Sequence, residues 1–192
     1  MSHYYPVLLR LEGKRCLIAG NGFGADEKAQ SLTDAGADVT RQPAFQEGDL
    51  EGYFLVVAAT GDSTLNGLVW REAERLNILV NAVDDPRHCS FILPAVHRQG
   101  DLVVAVSSSG KSPALATRLR DRFASEMGPE YAQFAEMLGE LRPAVAARCG
   151  DFEQRRRLWY RLVDSEALTF LRQSRQEEAR RVLAEMIERN EL

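Results

Sequence analysis

The chain reads as an α/β protein: a Rossmann-like parallel sheet with helices on both faces, followed by a tail made only of helices. Three observations carry this expectation. Short β-rich runs alternate with helical patterns from Val7 to Ser107, the order expected of parallel strands joined by crossover helices. The apolar run Cys16-Leu17-Ile18-Ala19 enters a glycine turn, Gly20-Asn21-Gly22-Phe23-Gly24, and a helical pattern opens straight after it. Beyond Ser107 no strand pattern recurs.

Taken in order, strands are predicted over residues 7–9, 15–19, 38–41, 54–58, 78–81 and 102–107, where β-branched and other apolar residues concentrate. Helices are predicted over 25–35 and 64–76, the first closed by Gly36. Residues 42–53 are too few, and too rich in Gly, Glu and Asp, for a further βα unit. At Ser107-Ser108-Ser109-Gly110-Lys111-Ser112-Pro113 a polar loop takes over, and Ser112 before Pro113 fits an N-cap and first helical position. Helices are then predicted over 113–127, 130–148, 152–163, 166–173 and 176–189, the last led by Ser174 and Glu177 at capping-box spacing. The domain boundary falls near residue 112.

With 192 residues, 45% of them hydrophobic, the chain can bury one main core and build a small annex. Lys and Arg number 24 against 28 Asp and Glu, a net charge of −4, which argues against nucleic acid or an anionic membrane as principal partner. Residues 81–125 reverse that balance. There Arg87, Arg98, Lys111, Arg118, Arg120 and Arg122 outnumber Asp84, Asp85, Asp101 and Asp121 by two, so a small polyanion could dock, although a solvated face from Arg118 to Arg122 fits those arginines equally. Arg155-Arg156-Arg157 reads as a solvated helix face. Cys16, Cys89 and Cys149 are widely spaced and odd in number, as in a reducing compartment. The opening Met1-Ser2-His3-Tyr4-Tyr5-Pro6 lacks the pattern of an export signal, and a cytoplasmic protein is expected.

The glycine turn is suited to a dinucleotide. Gly20 permits a tight turn, Gly22 removes the Cβ that would block a pyrophosphate, and Gly24 precedes the usual third position, where Ala25 stands. Phe23 and Gly24 take the turn's cofactor-facing positions, with Asn21 between the first two glycines. Arg41, Pro43 and Ala44 follow the second strand, where the adenosine ribose is usually recognised; an acidic residue there would mark NAD, whereas Arg41 suits a 2′-phosphate, so NAD and NADP both stay open. Thr60, Asn81 and Val83 lie at carboxyl ends of strands and are candidates by location. On spacing alone, Asp84-Asp85-Pro86 is a turn. His88 and Cys89 do not make a ligand set, and no metal site is expected.

Four separated pieces carry a more specific signal. They are the segment Tyr5-Pro6-Val7-Leu8-Leu9-Arg10-Leu11-Glu12-Gly13-Lys14 and Val56-Val57-Ala58-Ala59-Thr60 with Leu65-Asn66. The third is Val80-Asn81-Ala82-Val83-Asp84-Asp85-Pro86 with Cys89-Ser90-Phe91-Ile92-Leu93-Pro94-Ala95; the fourth runs from Val104 through Ser107-Ser108-Ser109-Gly110-Lys111-Ser112-Pro113 to Ala116. In this order they resemble the precorrin-2 dehydrogenase/sirohydrochlorin ferrochelatase family of siroheme synthesis, over about the first two-thirds of the chain.

The resemblance implies NAD-dependent oxidation of precorrin-2 to sirohydrochlorin, followed in bifunctional members by insertion of ferrous iron, a substrate. It implies a Rossmann domain over 1–112, a dimerisation segment over 113–148, a helical C-terminal domain over 149–192, and a homodimer. Asp84 matches the family's acid/base aspartate, while Asp85 keeps the turn. The loop residues Ser108, Ser109, Gly110 and Lys111 fall where a tetrapyrrole carboxylate would be held. The sequence departs from the family's Gly-Gly-Gly-x-Val-Ala-x-Arg-Lys turn at Asn21, Gly24 and Glu27, and shortens the stretch from Phe45 to Phe54. Glu27 and the shortened stretch motivate one alternative, a chelatase without the dehydrogenase step; the glycine turn itself, with the many amphipathic helices, motivates another, a nucleotide- or tetrapyrrole-sensing module whose helical tail engages a partner.

Overall fold

Cys16, Leu17, Ile18 and Ala19 are all shut off from solvent, and they alternate between two cores: Leu17 and Ala19 face one, Cys16 and Ile18 the other. That is the mark of a strand covered on both sides, and it explains why its sequence is continuously apolar. The computed structural model describes residues 4–21 and 23–189, with Phe23 described through its backbone alone. Gly22 and the opening residues Met1, Ser2 and His3 lie outside the described residues. By contacts the chain divides into two units, one running to Leu93 and including Ser107–Ser112, the other comprising Pro94–Val106 and the chain from Pro113 onward.

The first unit holds four parallel strands, β1 (Arg15–Ala19), β2 (Asp38–Gln42), β3 (Leu55–Ala58) and β4 (Leu79–Ala82), in the spatial order β2-β1-β3-β4. Register aligns Ala19 with Gln42 and Ala58, and Ala58 with Ala82, so the strands end together. Helix α1 (Phe23–Asp34) supplies Ala25 and Ala29 to one core, and α2 (Ser63–Leu76) supplies Val69 and Ala73 to the other. Helices on opposite faces and a reversal of strand order at β1/β3 make the sheet doubly wound and Rossmann-like. Helix α1 closes on Gly36 (φ +82), with Ala37 N donating to Leu32 O and Gly36 N to Thr33 O, the Schellman pattern.

Residues 7–9, predicted as a strand, run without a ladder partner and are exposed. Residues 102–107, predicted as a further parallel strand, belong instead to an antiparallel hairpin. Strand β5 (Ala95–Gln99), absent from the sequence reading, pairs with β6 (Leu102–Val106) across a two-residue turn with Gly100 at φ +59. A two-residue connection cannot serve a parallel crossover, so the pairing follows from the loop length.

The second unit adds α3 (Pro113–Glu126), α4 (Pro129–Glu140), α5 (Arg142–Arg148), α6 (Phe152–Val163), α7 (Ala167–Arg172) and α8 (Gln176–Arg189). The single helix predicted over 130–148 breaks at Leu141, because Pro143 has no N–H for the carbonyl one turn back. Leu158 and Leu162 of α6 and Ala179, Leu183 and Ile187 of α8, spaced at i+4, meet Phe134, Val145 and Leu171 in one core. The predicted capping box at Ser174 does not form. Ser174 has φ +60 and closes α7, with Arg175 N bonded to Phe170 O and Ser174 N to Leu171 O.

Candidate functional site

The site is built where the parallel strands stop. Just past the ends of the strands, Gly20 N donates to Gln42 O, Ala59 N to Ala19 O and Val83 N to Ala58 O, so the ladder continues one residue into each connecting loop. In open α/β sheets a ligand crevice forms at this edge, at the point where strand order reverses. Gly20 is required there twice over: its φ is +107, and a Cβ would stand 2.3 Å from Ala59 O. Only glycine lets the first strand turn this close to the third. Gly24, in the first turn of α1, is packed closely though less tightly, with a Cβ position 3.0 Å from Val83 Cγ1.

Acidic residues at a helix N-terminus oppose an incoming diphosphate, and this helix carries Asp26 and Glu27 near its start. Both are paired: Arg41 Nη1 reaches Asp26 Oδ1 at 2.6 Å, and Lys28 Nζ reaches Glu27 Oε1 at 3.2 Å. The local charge is therefore balanced, so the described start of α1 does not turn an anion away from its N-terminus. Arg41 stands at the end of β2, and Pro43 and Ala44 are exposed beyond it. Asn21, two residues after β1 ends, is exposed.

Three of the sequence candidates are engaged in the fold itself. The Thr60 hydroxyl bonds Asn66 Oδ1 at 2.7 Å and accepts from Asp62 N, at the start of α2, where Asp62 Oδ1 caps Thr64 N and Leu65 N. Asn81 is buried and donates Nδ2 to Phe91 O at 3.0 Å. Val83 supplies the wall against Gly24. Cys89 is likewise structural: its sulfur accepts from Ala82 N, and burial pushes its thiol pKa up. Among the described residues no group of three His, Cys, Asp or Glu side chains is placed to hold a metal ion.

The aspartate pair divides sharply. Asp84 follows β4 in the left-handed conformation (φ +56), is exposed, and its carboxylate has no hydrogen bond or ion pair among the described residues. Asp85 is held: its Oδ2 lies 2.8 Å from His88 Nδ1 and accepts from Ser63 Oγ at 2.7 Å. Those bonds, His88 first and Ser63 second, hold its pKa below the usual carboxylate range. Although Ser, His and Asp meet here, the serine bonds the carboxylate rather than the imidazole, so this is no nucleophilic triad. The sequence could not foresee Ser63, which lies 22 residues away.

In the 107–112 loop, Ser109 (φ +54) and Gly110 (φ +79) form a tight turn closed by Lys111 N donating to Ser108 O. Ser107 Oγ accepts from Ser109 N and Ser108 Oγ from Ser112 N, while Ser109, Gly110 and Lys111 are exposed.

Family models match nearly the whole chain. A family described as NAD(P)-binding matches residues 7–42 and 40–95, the sirohaem biosynthesis protein central region matches 99–126, and the sirohaem synthase dimerisation region matches 130–187. Siroheme synthase 3 of Aeromonas hydrophila is 37% identical over 86% of this chain and 40% of its own length. Siroheme synthase of Photorhabdus laumondii is 32% identical over 98% of this chain and 45% of its own, and that of Methylococcus capsulatus 36% over 95% and 43%. The chain thus spans less than half the length of these relatives. Among solved structures, SirC, a precorrin-2 dehydrogenase, superposes with a TM-score of 0.72 at 23% identity, covering 95% of this chain and 100% of that one. No helix among the described residues is long and apolar enough to cross a membrane. With these matches running in tandem from residue 7 to residue 187, the chain belongs to the siroheme synthase family, the precorrin-2 dehydrogenase/sirohydrochlorin ferrochelatase family that its four sequence segments resemble.

Proposed function

We propose that this chain oxidises precorrin-2 to sirohydrochlorin with NAD, and that Asp84 is its acid/base. The observation that carries the reading is the placement of Asp84: an exposed carboxylate without a partner among the described residues, one residue after the Val83 side chain that meets the glycine turn. A bound nicotinamide would accept the hydride leaving the macrocycle. The protein must then take a proton from the substrate, and a positioned carboxylate serves that end, an effect typically worth about 10² to 10⁴ in rate. Gly20, Asn21, Gly22, Phe23 and Gly24 would hold the diphosphate, Arg41, Pro43 and Ala44 the adenosine end, and Thr60, Asn81 and Val83 would line the crevice. Ser108, Ser109, Gly110 and Lys111 would receive a substrate carboxylate, the exposed lysine supplying the charge.

Insertion of ferrous iron into sirohydrochlorin is proposed as a second activity of the same site, since it too requires a base for pyrrole protons. A homodimer is proposed from the dimerisation-region match and from an exposed apolar stripe on α3, where Leu115, Leu119 and Phe123 repeat at i+4 with 54, 37 and 45% exposure. Its place of work would be the cytoplasm.

Purified protein given precorrin-2 and NAD should form reduced nucleotide, and Asp84→Ala should abolish that signal. Failure of the wild type with both NAD and NADP, using substrate of verified quality, would rule out the dehydrogenase. Iron insertion surviving in that case would favour a chelatase.

A further inference from the structure

Asp85 is tied to two elements through a single oxygen. Ser63, the first residue of α2, donates to Oδ2 at 2.7 Å, and His88, closing the short 3-10 turn Pro86–His88, lies 2.8 Å from the same atom through Nδ1. The far side of the imidazole is also accommodated. A Cβ at Gly67 would come 3.3 Å from His88 Nε2, and the Trp70 and His88 ring centroids are 5.6 Å apart. Gly67 lies inside α2, where glycine is less favourable than alanine. The space this leaves against the helix is where the histidine ring sits.

These contacts bear on the neighbouring residue. Asp84 has φ +56, a left-handed conformation that few residues other than glycine adopt, aspartate among them, and the contacts on either side hold it there. On one side it is joined to Val83, whose amide bonds Ala58 O. On the other it is joined to Asp85, whose amide bonds Ala82 O and whose carboxylate is fixed to α2 and His88. An ionised carboxylate accepts both side-chain bonds at once, which makes it the strongest available tether at this position.

We propose that Asp85, clamped by Ser63 and His88, is the positioning residue that holds the 82–85 turn in the conformation presenting the Asp84 carboxylate. This rests on the reading of Asp84 as acid/base. The clamp acts through Asp84 and does not touch the substrate. Its loss therefore lowers turnover while nucleotide binding persists.

The test uses the full chain with Asp85→Ala, Asp85→Asn, His88→Ala and His88→Asn, assayed where circular dichroism reports all of them folded. In Asp85→Ala, kcat for precorrin-2 oxidation should fall at least tenfold, while the Kd for NAD by calorimetry stays within twofold. Asp85→Asn, which retains one acceptor oxygen, should fall between wild type and Asp85→Ala. His88→Asn, whose amide can donate in place of Nδ1, should recover most of the turnover that His88→Ala loses. Wild-type kcat in Asp85→Ala, or parallel losses of kcat and nucleotide affinity, would overturn the clamp. If the wild type itself does not turn over precorrin-2, the proposed activity falls and a crystal structure decides the clamp instead. Asp84 remaining at positive φ in Asp85→Ala, or in Asp85→Asn should the alanine variant not fold, overturns it; a rearranged turn sustains it.

Discussion

Gly24 and Val83 are in contact across the first unit: a Cβ at position 24 would stand 3.0 Å from Val83 Cγ1, closer than nearly all real contacts of that kind. The third glycine of the turn thus packs the start of α1 against the residue preceding Asp84. Gly24→Ala must push Val83 by a few tenths of an ångström, and that shift passes directly to Asp84. A double-mutant cycle should detect it. Gly24→Ala alone is expected to lower kcat several-fold, Val83→Ala to restore space, and the pair to show a coupling of about 0.5–1.5 kcal/mol in transition-state free energy. Additive effects would mean that the contact does not carry to the site.

Gly20→Ala should be far more damaging. Its Cβ would fall 2.3 Å from a backbone oxygen that the sheet holds in place, at a φ of +107. A loss of about 3 kcal/mol or more in urea unfolding is expected, with little folded protein recovered.

Glu72 is buried on α2 and ties down the connection between β2 and β3. Its Oε1 accepts from Gly48 N at 2.9 Å and Leu50 N at 3.4 Å, with Arg75 at 3.9 Å. Glu72→Ala strands both amides, and a destabilisation of about 2 kcal/mol should appear in denaturant titration. Glu72→Gln keeps an acceptor oxygen and should cost less.

Asp85 gives a signed pH dependence. Its folded pKa lies below its ordinary 3.8, so its contribution to stability is complete above that value and is lost as pH falls through the lower folded value. Thermal melts of wild type and Asp85→Asn should therefore differ most near neutral pH and converge in acid, below about pH 4. A gap that stays constant on acidification would contradict the hydrogen-bonded carboxylate.

Arg41 tests the cofactor. Its ion pair with Asp26 is exposed, and such pairs contribute about 0–1 kcal/mol, so Arg41→Ala should melt within a degree or two of wild type. If Arg41 meets a 2′-phosphate, the substitution should weaken 2′,5′-ADP about tenfold and leave 5′-AMP within twofold. Equal effects on both would remove Arg41 from the ribose.

How much of this was legible depends on the range of the contacts. The four parallel strands and the helices between them follow from apolar runs and glycine closures that are local in sequence, and they stand within one or two residues of expectation. Strand β5 escaped because Ala95-Val96-His97-Arg98-Gln99 alternates only weakly, and its identity depends on pairing with β6. Ser174 has the spacing of a capping box, yet the preceding helix uses it as its own left-handed terminus. Two termini competed for one serine, and only the packing of α7 decided between them.

By itself the sequence determined the four parallel strands, the helices between them, the glycine turn's place after β1 and the position of Asp84 after β4, because backbone sterics and hydrophobic periodicity act over a few residues. The tertiary structure decided what distant residues do to one another. It paired Arg41 with Asp26, set Gly24 against Val83, and bound Asp85 to Ser63 while leaving the Asp84 carboxylate exposed. Two adjacent aspartates are chemically identical in a sequence; they differ here because left-handed backbone at Asp84 turns one side chain out while a serine and a histidine hold the other.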